Sequence, residues 1–173
     1  ALARKPLEAA WILSVGFLIA SILAFPIVTD RSDMLPAIRL ALDRWHVGED
    51  PYGILPVTVG TNRMPYLPGL LFSHLPAWLA GLDLRWNSVV YRLVWGGVLA
   101  FSLRQSPPNS PLRACAILLF LNPYLTFRHQ LYFEFDLLLI VLFWTFRRSQ
   151  GAILALCLWT RQWNWVIAPF LWM

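Results

Sequence analysis

The chain has 173 residues, of which 58% are hydrophobic and 13% are charged, about half the charged fraction of a soluble domain. This composition excludes an ordinary soluble enzyme and predicts a membrane protein. Lys and Arg number fourteen against nine acidic residues, but no basic helix or aromatic RNA-binding motif is present, so we expect membrane lipids and not nucleic acid as the partner of the basic residues.

The first predicted element is an apolar segment at 11–28, which is long enough for a helix to cross a bilayer core of about 30 Å. Arg4 and Lys5 precede it, and this predicts a cytoplasmic N-terminus by the positive-inside rule. A signal peptide is the competing interpretation, but no small-residue cleavage site follows the apolar run. We therefore expect this segment to be retained as a membrane helix.

A polar external loop is predicted next, at 29–65. Within it, 34–46 carries its apolar side chains on one helical stripe, formed by Leu35, Ile38, Leu42 and Trp45. A short amphipathic helix with Trp at its edge is typical of a helix that lies in the interface plane. Arg39 and Asp43 have the i,i+4 spacing of a helical ion pair, and "GEDPYG" at 48–53 is a turn signal.

Asp33 directly precedes this predicted helix, and two interpretations of it stay open. As an N-cap it would stabilise the helix by about 1 kcal/mol. As a carboxylate held at the boundary between water and membrane, it would act as a general base on an acceptor hydroxyl. The two interpretations are compatible, because a capping carboxylate can also be catalytic.

Five further apolar segments bring the predicted number of membrane segments to six; they lie at 66–82, 87–103, 113–127, 131–146 and 151–173. Six full crossings would place four arginines outside, against the positive-inside rule: Arg104, Arg113, Arg147 and Arg148. We therefore expect one segment between 66 and 103 to be re-entrant or partly interfacial. The connections at 104–113 and 147–150 are then cytoplasmic, and 128–136 faces outside.

Together these segments predict an all-α fold, a polytopic transmembrane helical bundle with an amphipathic interfacial helix in its first extracytoplasmic loop. The domain prediction is a single transmembrane domain, 1–173. We also expect a chain truncated at its C-terminus, because it stops at Met173 directly after "APFLW". Cys115 and Cys157 lie in apolar runs and are interpreted as small buried hydrophobes, not as a disulfide or a metal pair.

Four features of the first loop follow one another in a distinctive order: an acidic residue after the first membrane helix, an amphipathic helix, a G-x-D-P-Y turn, and "NRMPYLPGLL" at 62–71. This order resembles the GT-C superfamily of polytopic glycosyltransferases, above all the branch that uses polyprenyl-phosphate sugars, including mannosyltransferases of actinobacterial envelopes. The resemblance implies that the first extracytoplasmic loop carries the catalytic acid. Asp33 fits that place best, and Asp30 is the second candidate.

Two later stretches carry the same resemblance. "LNPYLTFRHQLYFEFDLLLIVLFW" at 121–144 is similar to the family segment in which Asn-Pro at a helix end precedes a polar turn, and His129 and Gln130 stand near that turn. "LWTRQWNWVIAPFLW" at 158–172 is similar to a family helix that begins T-K-Q, with Arg161 in the place of the lysine.

Ionisable residues inside apolar runs are expected to face a cavity or a partner, because exposure to lipid is costly. For Arg161 two interpretations stay open: it binds a lipid-linked phosphate, or it pairs with Asp136 or Glu134. Arg92 belongs to the same class. His74 is expected to be a satisfied buried polar group and not a ligand.

The resemblance implies a hexosyltransferase of the bacterial plasma membrane that moves a sugar, mannose in the branch that the chain resembles most, from a polyprenyl-phosphate donor to a lipid or glycan acceptor. The candidate substrate-binding residues are Arg161, Arg128, His129, Gln130, Tyr52 and Tyr66. We expect no cofactor and no metal, because the histidines are isolated and no dense D-x-D motif is present. The alternative is a non-catalytic polytopic membrane protein, either a lipid-linked-sugar transporter or a structural subunit of a membrane complex.

Overall fold

The computed structural model describes residues 5–25, 34–57, 60–63, 68–107, 109–122, 134–146 and 150–160. Within these ranges the chain is helical apart from one short hairpin, which agrees with the predicted helical fold class. The helices are α1 (Lys5–Ala24), α2 (Met34–His46), α3 (Pro68–Leu79), α4 (Trp86–Ser102), α5 (Pro111–Phe120), α6 (Glu134–Thr145) and α7 (Gln150–Thr160). A 3-10 turn, Leu103–Gln105, follows α4.

The hairpin was not expected, because 29–65 was interpreted as a loop around one helix. Strand β1 (Ile54–Val57) pairs antiparallel with β2 (Gly60–Arg63), in a register that places Ile54 opposite Arg63 and Val57 opposite Gly60. The two residues that join the strands lie outside the described ranges. The described residues of the segment 29–65 therefore form one helix followed by one hairpin.

Of the described helices, one is long and apolar enough to cross a membrane, over Pro6–Ala24. A core helix of a soluble protein or an N-terminal signal sequence meets the same criterion, so this helix alone is weak support for a membrane protein. At 12 residues α3 extends roughly 18 Å, and at 10 residues α5 extends roughly 15 Å. The six predicted membrane segments stay a prediction.

The chain divides into two compact units, which are described separately. The first unit comprises Ala1–Phe25 and Ser88–Ile153, and the second comprises Pro26–Asn87 and Leu154–Met173. In the first unit the hydrophobic core includes Leu7 and Ala10 of α1, Trp95 of α4 and Phe120 of α5. The Trp95 and Phe120 rings stack with their centroids 5.2 Å apart.

Helix α1 packs against α4 of the first unit through an indole that lies on two glycines. A Cβ added to Gly96 would lie 2.4 Å from Cδ1 and Nε1 of Trp11, and one added to Gly97 would lie 3.3 Å from the same ring. The Trp11 indole N–H donates to the Arg92 carbonyl at 3.2 Å, and Nη1 of Arg92 donates to the Ser14 carbonyl at 3.3 Å. Apolar packing and reciprocal hydrogen bonds thus join the two helices.

In the second unit α2 packs on α3 with the predicted stripe inward. Leu35, Ile38 and Leu42 are at most 4% exposed, whereas Trp45 at the edge of the stripe is 46% exposed. The Trp45 ring meets the Phe72 ring edge to face, with centroids 5.3 Å apart. Both the bounds of α2 and its buried face agree with the amphipathic pattern.

Candidate functional site

The turn that follows α2 is built by a glycine in the left-handed conformation. Gly48 has φ +81°, its N–H donates to the Trp45 carbonyl at 3.1 Å, and the Glu49 N–H donates to the Arg44 carbonyl at 2.9 Å. This pair of bonds is the Schellman motif, which satisfies carbonyls that would lack partners at a helix end. The same motif ends α3 at Gly81, where φ is +67°.

The predicted "GEDPYG" turn continues directly from this helix end. The Asp50 carboxylate accepts a hydrogen bond from the Tyr52 N–H at 2.9 Å, and the Asp50 carbonyl accepts one from the Gly53 N–H at 3.3 Å. Asp, Pro and Gly occupy the first, second and fourth positions of this four-residue turn, which are the positions they favour. The prediction that Glu49 and Asp50 shape a turn is confirmed.

Arg44 reinforces the turn from the last turn of α2. Its Nε lies 3.8 Å from the Glu49 carboxylate. A Cβ added to Gly53 would lie 3.1 Å from Nη1 of Arg44, so the guanidinium passes close to the backbone there. The short polar segment is therefore held against the helix by backbone and side-chain contacts together.

Tyr52 is the one candidate substrate-binding residue within the described ranges. Its hydroxyl oxygen is buried, and no described residue forms a hydrogen bond with it. Burial of the phenol, and then the negative charge of Asp50, raise the pKa of Tyr52 above 10.0. A buried hydroxyl without a partner is costly, so the internal packing of this segment does not explain it.

Asp43 has a partner that the sequence interpretation missed. The predicted ion pair with Arg39 is wrong, because the Asp43 carboxylate instead accepts a hydrogen bond from the Trp78 indole N–H at 2.7 Å. The Trp78 ring also meets the His46 ring edge to face, with centroids 5.3 Å apart. Asp43 thus joins α2 to α3 and is not a surface partner of its own helix.

Asn87 binds a backbone amide of α3 that directly follows a proline. Pro76 lacks an N–H and disturbs the helical ladder at that point, and the next N–H, that of Ala77, donates to the Asn87 side-chain oxygen at 3.1 Å. The side-chain nitrogen of Asn87 is buried without a partner in the described part of the chain. A single Asn in "DLRWN" is a weak signal, so the role of Asn87 was not predicted.

His74 is buried and hydrogen-bonded, as expected. It is 2% exposed, and its Nδ1 lies 3.0 Å from both the Leu70 carbonyl and the Ser73 hydroxyl oxygen. Both contacts lie within one turn of the same helix. The histidine is therefore part of the internal hydrogen bonding of α3.

Two further predictions about single residues have clear outcomes. Arg92 is 2% exposed and donates to the Ser14 carbonyl, so its expected internal partner is a backbone group of α1. Cys115 was expected to be buried, and this is wrong: it is a free, exposed thiol on α5. The reason is that α5 carries apolar side chains on its exposed face as well as its buried face, with exposed Leu112 and Leu118 beside buried Ala116, so an apolar run does not identify the inward face.

The other candidate site residues lie outside the described residues: Asp30, Asp33, Tyr66, Arg128, His129, Gln130 and Arg161. The side chains of Glu134 and Asp136, the alternative partners of Arg161, are also outside the description. Met34, which follows Asp33 in the chain, is the first residue of α2, and Thr160, which precedes Arg161, is the last residue of α7. The roles of these seven residues stay predictions.

Comparisons of the chain with family models, curated proteins and solved structures find no match. In the described ranges no three side chains of His, Cys, Asp or Glu are grouped as metal ligands would be, so we assign no residue as a metal ligand.

Proposed function

We propose that the chain is an integral membrane glycosyltransferase of the GT-C type, which moves a sugar from a polyprenyl phosphate to an extracytoplasmic acceptor hydroxyl. The observation that carries the proposal is the segment from Met34 to Gly53. Here an amphipathic helix with a buried apolar stripe ends in a Schellman motif and a hydrogen-bonded D-P-Y-G turn. This is the helix and turn that the resemblance requires after the catalytic acid.

Mannose is the proposed sugar, because the residue pattern resembles the mannosyltransferase branch most closely. The proposed topology is a multi-pass protein of the bacterial plasma membrane with a cytoplasmic N-terminus and the segment 29–65 outside. The apolar helix over Pro6–Ala24 supports a first crossing by its length. The buried face of α2 supports a helix packed on other protein segments, with Trp45 at its exposed edge.

The proposed reaction is a single displacement at the anomeric carbon. The Asp33 carboxylate takes the proton of the acceptor hydroxyl while the acceptor oxygen forms the new glycosidic bond. The bond between the anomeric carbon and the phosphate oxygen breaks, and polyprenyl phosphate leaves with the electron pair. Arg161 or Arg128 would stabilise the phosphate charge, and the configuration at the anomeric carbon would be inverted.

The proposal is tested by transfer of radiolabelled mannose from polyprenyl-phosphate mannose in membranes that contain the full-length protein. We expect Asp33→Asn to lower transfer by at least roughly a hundredfold, since general bases contribute about 10²–10⁴ in rate. Asp43→Asn is the matched control: it makes the same change of charge but keeps an oxygen to accept from Trp78. Equal transfer by all three proteins would eliminate Asp33 as the base.

The alternative function, a transporter of lipid-linked sugars or a structural subunit, predicts a different pattern. In that case Asp33→Asn and Arg161→Gln would change the assembly or amount of protein in the membrane, and wild-type membranes would show no transfer above membranes without the protein. Transfer that is lost while membrane insertion is normal supports the enzyme.

A further inference from the structure

A small cavity in the first unit lies beside the N-terminal ends of α1 and α5. It has a volume of about 170 Å³, several times the roughly 30 Å³ that one water molecule occupies in the liquid. Among the described residues, its polar lining comes from Asn109, Ser110 and Arg113, and none of those that line it carries a carboxylate. Hydrogen-bond donors with no fixed negative charge are the lining expected of a site for an anion.

Arg113 is the decisive residue of this cavity. It is 4% exposed, yet none of the described residues forms a hydrogen bond or an ion pair with its side chain. Arginine stays protonated in proteins, so the group cannot escape the cost of burial by losing its proton. At this exposure the guanidinium has lost most of its contact with water and meets solvent only at the cavity, so a bound anion there would replace the lost hydration.

The other arginines with low exposure in the described ranges all have partners. Arg85 binds the Asp83 carboxylate at 2.6 Å, and Arg92 donates to the Ser14 carbonyl at 3.3 Å. Even the half-exposed Arg104 forms an ion pair with Glu8 at 3.2 Å. Among the arginines whose burial is described, the other buried guanidinium groups thus have protein partners, and Arg113 is the exception.

The ends of the helices add a favourable field but not the main contacts. The N–H groups of Arg113 and Ala114 donate to the Ser110 carbonyl at 3.0 and 3.2 Å, so they are not available to a ligand. The Ser110 side chain makes no capping hydrogen bond, which leaves its hydroxyl for the cavity. The positive ends of the dipoles of α1 and α5 both favour an anion there.

The carboxylate of Glu8, in α1, does not cancel the positive charge of Arg113. Glu8 is in the first turn of α1 but is engaged by Arg104. The Arg104–Glu8 pair has no net charge. Together with Arg113, these three side chains therefore carry one positive charge.

We propose that this cavity binds a phosphate group, with the Arg113 guanidinium as the principal donor and Ser110 and Asn109 as secondary donors. A guanidinium matches two oxygens of a phosphate with parallel hydrogen bonds. The phosphate is that of an anionic phospholipid headgroup or of a free phosphate ion. The proposal does not depend on glycosyl transfer, since none of these residues belongs to the proposed active site.

The test uses the full-length protein purified in uncharged detergent and measures its thermal unfolding midpoint. Inorganic phosphate is compared with chloride at equal ionic strength. In a second arm, nanodiscs of phosphatidylcholine are compared with nanodiscs that also contain phosphatidylglycerol. Stabilisation by free phosphate identifies a site for the ion, and stabilisation by phosphatidylglycerol alone identifies a site for a headgroup.

The variants are Arg113→Met, Arg113→Lys and the control Arg39→Gln, which removes a positive charge from an exposed position of α2. Without phosphate, we expect Arg113→Met to unfold at the same temperature as wild type or higher, because it removes an unpaired buried charge. With phosphate, its midpoint should not rise, whereas the midpoints of wild type and Arg39→Gln should. Arg113→Lys should bind phosphate about tenfold more weakly or worse, since it loses the two-pronged contact.

Three results would overturn the proposal. The first is an equal response to phosphate and phosphatidylglycerol in wild type and Arg113→Met, and the second is no response in wild type. The third is failure of both Arg113 variants to fold, because a cation without a protein partner should not be needed for folding.

Discussion

Tyr52 carries a hydroxyl group that the packing around its ring does not explain. Its hydroxyl is buried without a partner among the described residues, although the backbone N–H of the same residue is held by Asp50. Packing alone would favour Phe at this position, because Phe has the same ring and no polar atom to satisfy. A Tyr here is explained if its hydroxyl binds a substrate.

We expect Tyr52→Phe to raise the free energy of unfolding by about 1 kcal/mol, as the cost of an unsatisfied buried hydroxyl is removed. If Tyr52 binds substrate, the same variant lowers transfer. Unfolding in detergent and mannose transfer in membranes measure the two effects. A variant that is less stable than wild type would show that the hydroxyl has a partner, and the argument for a ligand would fail.

The same residue gives a dependence on pH with a definite sign. The pKa of Tyr52 in the folded protein lies above 10.0, so the folded state holds the phenolic proton more tightly than the unfolded state does. The contribution of protonated Tyr52 to the free energy of unfolding is fully present below pH 10.0 and is lost as the pH rises through the folded-state pKa. The amount by which the free energy of unfolding of Tyr52→Phe exceeds that of wild type should therefore grow above pH 10.0.

Among the elements, α2 was predicted to the residue and its packing partner was not predicted. The bounds follow from local signals, since the apolar stripe repeats with the helical period and Gly48 ends the helix with a left-handed turn. Local signals also suggested Arg39 as the partner of Asp43. The actual partner, Trp78, is 35 positions away, and no spacing rule connects the two.

The same limit applies to the other elements and to the candidate sites. Strands β1 and β2 were missed because a segment containing Pro56 and Gly60 has the composition of a loop. The turn that holds Tyr52 follows from "GEDPYG", but the burial of its hydroxyl depends on distant residues. Likewise, Arg113 looked like an ordinary charged loop residue until its burial was known.

The packing of α1 on α4 gives a sharp test at the scale of elements. We expect Gly96→Ala to lower the free energy of unfolding by about 1–3 kcal/mol, because the new Cβ would lie 2.4 Å from two atoms of the Trp11 ring. The indole would have to move away, which also weakens its hydrogen bond to the Arg92 carbonyl. Thermal unfolding of the purified protein measures the loss.

Gly16→Ala is the matched control, because it makes the same substitution in α1 where a Cβ would have no atom within 4 Å. Alanine favours a helix over glycine by about 1 kcal/mol, so this variant should be as stable as wild type or slightly more stable. Equal losses from the two substitutions would mean that Trp11 does not lie on Gly96.

At the scale of the whole molecule, the sides of the membrane can be tested with residues that the structure shows to be exposed. Glu49 has a side chain 65% exposed, and Asn109 is also exposed. With Cys115 and Cys157 replaced by Ser, we expect Glu49→Cys to react with an impermeant maleimide in intact cells. Asn109→Cys should react only after the membrane is permeabilised.

Glu49→Cys should lower the free energy of unfolding only slightly, because an exposed ion pair such as Arg44–Glu49 contributes less than about 1 kcal/mol. Reaction of both cysteines in intact cells would overturn the predicted topology, and with it the assignment of 29–65 to the outside. Wild-type activity in both variants serves as the control for correct folding.

The bond between the Trp11 indole and the Arg92 carbonyl joins residues 81 positions apart, which has a consequence for biosynthesis. The ribosome synthesises α1 long before Gly96 and Gly97, so during that interval the Trp11 indole cannot pack on these two glycines. Until α4 has been synthesised, the Ser14 carbonyl also lacks the Arg92 guanidinium that donates to it. The two hydrogen bonds between α1 and α4 can therefore form only after α4 has been synthesised.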